Sequence, residues 1–207
     1  MSKQAQPTSF SFDADSLKLV EKAIAKYPEG RQMSAVKTLL DIAQRQMGRD
    51  TGSAWLPRVA MDVVAERLGA PAIRIYEIAT FYSMFNLEPV GKYHLQLCTT
   101  TPCWLRGSDD IVAACKKATG IKNFGETSED GMFTMREVEC LGACVNAPIL
   151  QVNDDYYEDM DAARTEALIN DLKAGKAQPA AGSLGGRTSS APACGQTALL
   201  SVPAAKE

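Results

Sequence analysis

The apolar residues of this chain keep a helical period up to residue 88 and first change to strand alternation at residue 93, and that change bounds the fold. Before it, apolar positions recur at three- and four-residue intervals, the repeat of an amphipathic helix. Leu17, Val20 and Ile24 form one set, with Asp15 placed to cap it and Tyr27-Pro28 to end it. Met33, Val36, Leu40, Ala43 and Met47 form a second, expected to stop at Gly48. Pro57 opens a third through Val59, Val63 and Leu68, closed by Gly69. Pro71 opens a fourth through Ile75, Ile78, Tyr82 and Phe85. Four short amphipathic helices predict a small bundle over residues 13–88, its Met and aromatic residues packed in the core. The aromatic surplus in Ala79-Thr-Phe-Tyr-Ser-Met-Phe85 also suits a surface that faces a partner.

After Glu88-Pro89-Val90-Gly91 the apolar residues alternate. Tyr93, Leu95 and Leu97 interleave with His94, Gln96 and Cys98, which predicts a strand. Thr99 to Pro102 reads as a loop. Ser108, Asp109 and Asp110 supply a cap and first-turn acids for a helix through Ile111, Val112, Cys115 and Ala118, closed by Gly120. Phe133 to Val138 is a second strand. Ile149–Val152 and Tyr156–Glu158 form a hairpin around Asn153-Asp154-Asp155. Asp161 caps a last helix through Leu168, Ile169 and Leu172, ended by Gly175. The expected class is α+β, with residues 89–175 as a second domain whose helices cover a small sheet. Residues 176–207 are rich in Ala, Gly, Ser and Pro and read as an extended tail.

Six cysteines and one histidine narrow the chemistry. One histidine excludes, within this chain, a Rieske cluster, a Cys2His2 finger and an HExxH protease. No two glycines are separated by a single residue and no GxxxxGK[ST] occurs, so both common phosphate-cradling loops are missing. A nucleotide, if involved, would sit on another subunit. The net charge of −3 leaves no basic excess for nucleic acid. The N-terminus lacks an apolar segment and arginine, so neither a secretory signal nor a transit peptide is expected. The longest uncharged run, Thr188 to Ala205, is too polar and too rich in Pro and Gly for a membrane span. In a reducing compartment, spaced cysteines hold metal or do redox work more often than they form structural disulfides.

Four cysteines make two pairs, Cys98-x4-Cys103 and Cys140-x3-Cys144, each in a loop after a predicted strand. Such loops gather at one sheet edge, where sites sit. A [2Fe-2S] cluster needs two thiolates per iron and suits pairs of this width. A structural zinc site and a coincidence of buried thiols stay open on spacing alone. Thr99, Thr100, Thr101, Gly142 and Ala143 are small and leave amides free to point at sulfur. Cys115 falls on the apolar face of its helix and reads as core, and Cys194 lies apart in the tail. His94 shares a strand face with Cys98. It reads as a strand histidine with its hydrogen bond met, and as a residue tuning the site in the sharper alternative. The acidic run Asp154, Asp155, Glu158, Asp159, Asp161 reads as a solvated face, or as one meeting a basic partner.

Pro89-Val-Gly-Lys-Tyr93, Cys98-Thr-Thr-Thr-Pro-Cys103 and Glu139-Cys-Leu-Gly-Ala-Cys-Val-Asn-Ala-Pro148 closely resemble the family of E subunits of NADH:quinone oxidoreductase, respiratory complex I. Ala79 to Phe85, Tyr27-Pro-Glu-Gly-Arg31 and Tyr156-Tyr-Glu-Asp159 are similar to it as well. The likeness covers about residues 10–175 and extends less tightly into Gly186–Ser190 and Gly195–Leu199.

The resemblance implies a thioredoxin-like ferredoxin domain in which Cys98, Cys103, Cys140 and Cys144 bind one [2Fe-2S] cluster. It implies an electron-transfer subunit, with no catalytic residue of its own, that exchanges single electrons with FMN on an adjacent subunit binding FMN and NADH. It further implies a hetero-oligomer that includes the large iron-sulfur subunit, on the cytoplasmic side of a bacterial inner membrane or the matrix side of a mitochondrial one. NAD-linked hydrogenases and formate dehydrogenases use the same module, and a zinc-stapled adaptor is the alternative of a different class. One departure is visible. The family runs from the second helix into a Gly-Trp pair, whereas here Arg49 to Ala54 separate Gly48 from Trp55.

Overall fold

The computed structural model describes residues 6–176, 179–183, 186–187, 191, 194–195 and 197–198. It divides into two compact units, Met1–His94 with Asn123–Met135, and Leu95–Lys122 with Arg136–Glu207.

The first unit is built on four helices: α1 (Ala14–Ile24), α2 (Val36–Thr51), α3 (Arg58–Leu68) and α4 (Ala72–Phe81). Asp13, not Asp15, caps α1: its carboxylate accepts the Ser16 N–H at 2.6 Å, leaving Asp15 in the first turn. Gly48 does not end α2. It stays inside the helix, which runs to Thr51 and closes at Gly52 with φ 78°. The residues that separate Gly48 from Trp55 therefore first lengthen the helix and then turn. Arg49 reaches Asp13 and Ser16 Oγ, each at 2.9 Å. Ser53 Oγ donates to the Val90 carbonyl at 2.7 Å and accepts its N–H at 2.9 Å. Trp55 is buried. Pro57 and Pro71 stand just before α3 and α4. The fourth helix stops at Phe81, earlier than its apolar pattern suggests, because Tyr82 is already extended; Phe85 still returns to the core. That core gathers Val20, Leu39, Leu40, Leu56, Val64, Ile75 and Phe85.

The sheet has the order β2-β1-β3-β4-β5. Its strands are β1 (Tyr93–Cys98), β2 (Phe133–Val138), β3 (Leu150–Val152), β4 (Asp155–Glu158) and β5 (Gly182–Ser183). The first two have the predicted bounds. β1 pairs antiparallel with β3, placing Leu97 opposite Leu150, and β3 turns through Asn153 (φ 55°) into antiparallel β4. Five of the six residues of β1 are buried, His94 among them, so both of its faces are covered.

Two differences from expectation bear on function. The supposed loop after β1 contains a short helix, α5 (Thr101–Leu105), with Pro102 in its first turn and Cys103 buried in it. The tail, expected only as extended chain, carries a strand: β5 pairs parallel with β4. The remaining helices, α6 (Ser108–Thr119) and α7 (Ala162–Lys173), pack on each other, and Ile111 and Cys115 of the one and Leu168 and Leu172 of the other are buried. Gly107, in a left-handed conformation, precedes α6, and Ser108 makes no capping bond. Asp161 does cap α7, accepting the Arg164 N–H at 2.8 Å.

Candidate metal centre

Cys98 closes β1 and Cys103 lies one turn into α5, so the strand-to-helix connection brings both thiols into one buried apolar cluster with Ala147 and Ile149. Leu141, Ala143 and Tyr156 pack against it. The other pair comes from the segment after β2. Cys140 and Cys144 are exposed, and their sulfurs stand 3.2 Å apart. Cys144 begins a 3-10 turn, Cys144–Asn146. All six cysteines are free thiols. Among the described residues, no three His, Cys, Asp or Glu side chains already form a closed metal cage. The arrangement present is a buried pair and an exposed pair.

The electrostatics join the two pairs. Burial raises the Cys98 thiol, but the hydroxyl and N–H of Thr100, the Cys103 thiol and the Leu141 N–H outweigh it and leave it lowered. Thr100 Oγ1 is 3.3 Å from that sulfur. Burial, then the Cys98 thiol beside it, pushes Cys103 up to about 12. The Gly142 N–H, donated at 3.4 Å, is the main cause that lowers Cys140; its hydrogen bond to Cys140 is the main cause that raises Cys144. Cys103 feels the charge of Cys144, and Cys140 that of Cys98. The four thiols respond to one another as neighbours.

Cys115 is wholly buried in α6, and desolvation pushes it up to about 12, the behaviour of a core thiol. Cys194 is exposed. Of the small residues expected to serve sulfur, Gly142 and Thr100 do so, while Thr99 gives its hydroxyl to Glu137 at 2.5 Å.

The acidic run is not simply a solvated face. Glu158 accepts the Asn146 side-chain N–H at 2.5 Å, Asp159 accepts the Ser183 hydroxyl at 2.6 Å, and Asp161 caps α7. Tyr156 donates its hydroxyl to the Leu141 carbonyl at 3.0 Å. These roles of Tyr156, Glu158 and Asn146 do not show in the residue types alone. The available signal was parity, because Tyr156 and Glu158 share one face of a predicted strand.

The donor set suits a two-iron core. Each iron takes two thiolates, and the thiols stand in two pairs. Donors that tune bound sulfur are in place at Gly142 and Thr100.

The family model for thioredoxin-like [2Fe-2S] ferredoxins matches residues 20–173, and the chain belongs to that family. Curated relatives place it more closely. It is 55% identical over 166 residues to the E subunit of the NADH-quinone oxidoreductase of Rickettsia conorii, covering 80% of this chain and 96% of that one. It is 57% identical over 164 residues to the corresponding E subunit of Rickettsia felis, covering 79% and 95%. Against NADH dehydrogenase [ubiquinone] flavoprotein 2, mitochondrial, of Dictyostelium discoideum, it is 48% identical over 169 residues, covering 82% and 66%. Among solved structures, an NAD+-reducing [NiFe]-hydrogenase in the air-oxidised state shares the fold. Its TM-score is 0.53 at 22% identity, over 66% of this chain and 23% of that one.

Proposed function

We propose that this chain is an electron-transfer subunit of the E type in an NADH:quinone oxidoreductase, and that Cys98, Cys103, Cys140 and Cys144 hold one [2Fe-2S] cluster. The observation that carries the reading is the placement of four free thiols as neighbouring pairs at the ends of β1 and β2, in a chain of this family. When bound, such a cluster accepts and returns one electron. The chain's own residues supply ligands, amide and hydroxyl donors toward sulfur, and an apolar wall of Ala147 and Ile149 that keeps water from the inner pair. No acid, base or nucleophile is needed, which agrees with a single histidine.

FMN and NADH belong to an adjacent subunit in this reading, and the large iron-sulfur subunit is a further neighbour. Exposed Trp104, Leu105 and Val145 beside the ligands, and exposed Phe81 and Met84 in the first unit, suit such partners. Among the described residues no helix is long and apolar enough to cross a membrane, which fits a place in the peripheral arm on the cytoplasmic or matrix side. In this reading the chain divides into a bundle at 13–88, a cluster domain at 89–175 and an extended tail at 176–207 that lends β5 to the sheet.

Residues 91–175 hold 8 basic against 14 acidic residues, so an added electron is electrostatically disfavoured. The expected reduction potential is low, about −400 mV or below, as in other all-cysteine [2Fe-2S] centres. The test is iron with equimolar acid-labile sulfide and an S = 1/2 EPR signal after dithionite. Colourless protein containing zinc would overturn the reading. The large subunits that copurify decide between the respiratory enzyme and a hydrogenase or formate dehydrogenase.

A further inference from the structure

We propose that Tyr156 and Glu158 are positioning residues: two side chains on one face of β4 that clamp the loop carrying Cys140 and Cys144. The inference rests on the reading that this loop supplies cluster ligands. Alternation along β4 sends Tyr156 and Glu158 to the same side and Tyr157 to the other. The Tyr156 hydroxyl donates to the Leu141 carbonyl at 3.0 Å, one residue past Cys140. The Glu158 carboxylate accepts the Asn146 Nδ2–H at 2.5 Å, two residues past Cys144. The pair of bonds brackets the ligand loop.

The backbone continues the grip. The Asp159 N–H donates to the Asn146 carbonyl at 2.7 Å, and the Met160 N–H to the Pro148 carbonyl at 3.2 Å. Asn146 is the pivot. It is buried at 5% exposure, and among the described residues its Oδ1 has no hydrogen-bond partner, so Glu158 alone orients the side-chain amide. Cys140 and Cys144 themselves are exposed. An exposed pair of ligands on a loop has little packing to hold it, and the hydrogen bonds from β4 supply the order that burial supplies to Cys98 and Cys103.

The test uses the full chain as purified, with three variants. Tyr156→Phe keeps the ring and removes the bond to Leu141. Glu158→Ala removes the acceptor for Asn146. Glu158→Gln removes the charge but keeps an oxygen that can accept. The first readout is the rate of cluster loss to an iron chelator, followed by visible absorbance. The second is amide hydrogen exchange over residues 141–146 in the metal-free protein. Tyr156→Phe and Glu158→Ala are expected to lose the cluster about 10-fold faster, the usual effect of removing an outer partner of a ligand. They should also exchange faster over the loop, Tyr156→Phe at a melting temperature close to the parent's. Glu158→Gln should stay close to the parent.

Loss within about twofold of the parent for both Tyr156→Phe and Glu158→Ala would overturn the clamp. So would equal loss for Glu158→Gln and Glu158→Ala, which would make charge the cause. If Glu158→Ala fails to fold, the isosteric Tyr156→Phe decides. If the parent protein binds no iron, the ligand reading fails, and exchange in the metal-free protein still decides the clamp.

Discussion

Gly142 aims its amide N–H at the Cys140 sulfur across 3.4 Å, and it does so from a left-handed conformation with φ 83°. A Cβ at Gly142 would meet nothing within 4 Å, so the cost of Gly142→Ala is conformational, about 1–2 kcal/mol. The loop should relax and turn the amide away. That bond is the largest cause lowering the Cys140 thiol, so the variant's thiol should move back up. Thiols react as thiolates, so in metal-free protein Cys140 should alkylate at lower pH in the parent than in Gly142→Ala. Rate against pH, with the modified residue identified by mass, checks this. Cys115, pushed up to about 12, should stay unmodified throughout.

Cysteine substitution separates ligands from bystanders. Cys98→Ser and Cys140→Ser should each lose or destabilise the cluster, because a thiolate ligand is gone. Cys115→Ser puts a hydroxyl in a dry site at a cost of about 1–3 kcal/mol, yet should keep the spectrum. Cys194→Ser should change neither. A bleached Cys115→Ser with an intact Cys140→Ser would show the assignment to be wrong.

Gly91 is fixed by close approach. A Cβ there would lie 2.9 Å from the Gly131 carbonyl oxygen and 2.9 Å from backbone atoms of Met132. Backbone does not yield as a side-chain tip does, so Gly91→Ala should destabilise by about 1–3 kcal/mol. Its N–H also donates to Thr134 Oγ1 at 2.7 Å, a bond the shift would strain. Urea unfolding should show a lower midpoint at unchanged slope.

Asp13 makes stability depend on acid. The Ser16 N–H, and then Arg49, hold its carboxyl below the ordinary 3.8. A depressed carboxyl contributes stability above its unfolded value and loses it as pH falls through the folded one. Asp13→Asn keeps an oxygen for the cap and drops the charge. The parent should therefore melt higher than Asp13→Asn near neutral pH, and the gap should close below about pH 4. Melting curves of both proteins from pH 6 to pH 2 test this; a constant gap would refute it.

How much was legible in the sequence varies with how local the cause is. β1 and β2 could be bounded to the residue because alternation is written into Tyr93–Cys98 and because Phe133–Val138 is rich in strand formers. Asp161 could be placed as a cap because only it precedes α7 at the right distance. Gly48 misled because glycine ends a helix through a positive φ, and composition does not say which of Gly48 and Gly52 adopts it. Five residues of α5 are too few to show a period, and its Pro102 looks like loop. The cysteine pairs were visible as spacing. The bonds of Tyr156 and Glu158 to the ligand loop were not, because they join residues 12 and 15 positions apart through the fold.

The pairing of Gly182 and Ser183 with Tyr157 and Glu158 gives β4 an outer neighbour. Tyr157 adds a bond from its hydroxyl to the Pro179 carbonyl at 3.0 Å. A chain shortened to end at residue 176 would leave β4 as a bare edge, with unpaired amides and carbonyls open to another molecule. The segment that composition marks as least structured thus supplies Gly182 and Ser183, which cover that edge. Shortened protein should sediment as mixed oligomers where the full chain does not.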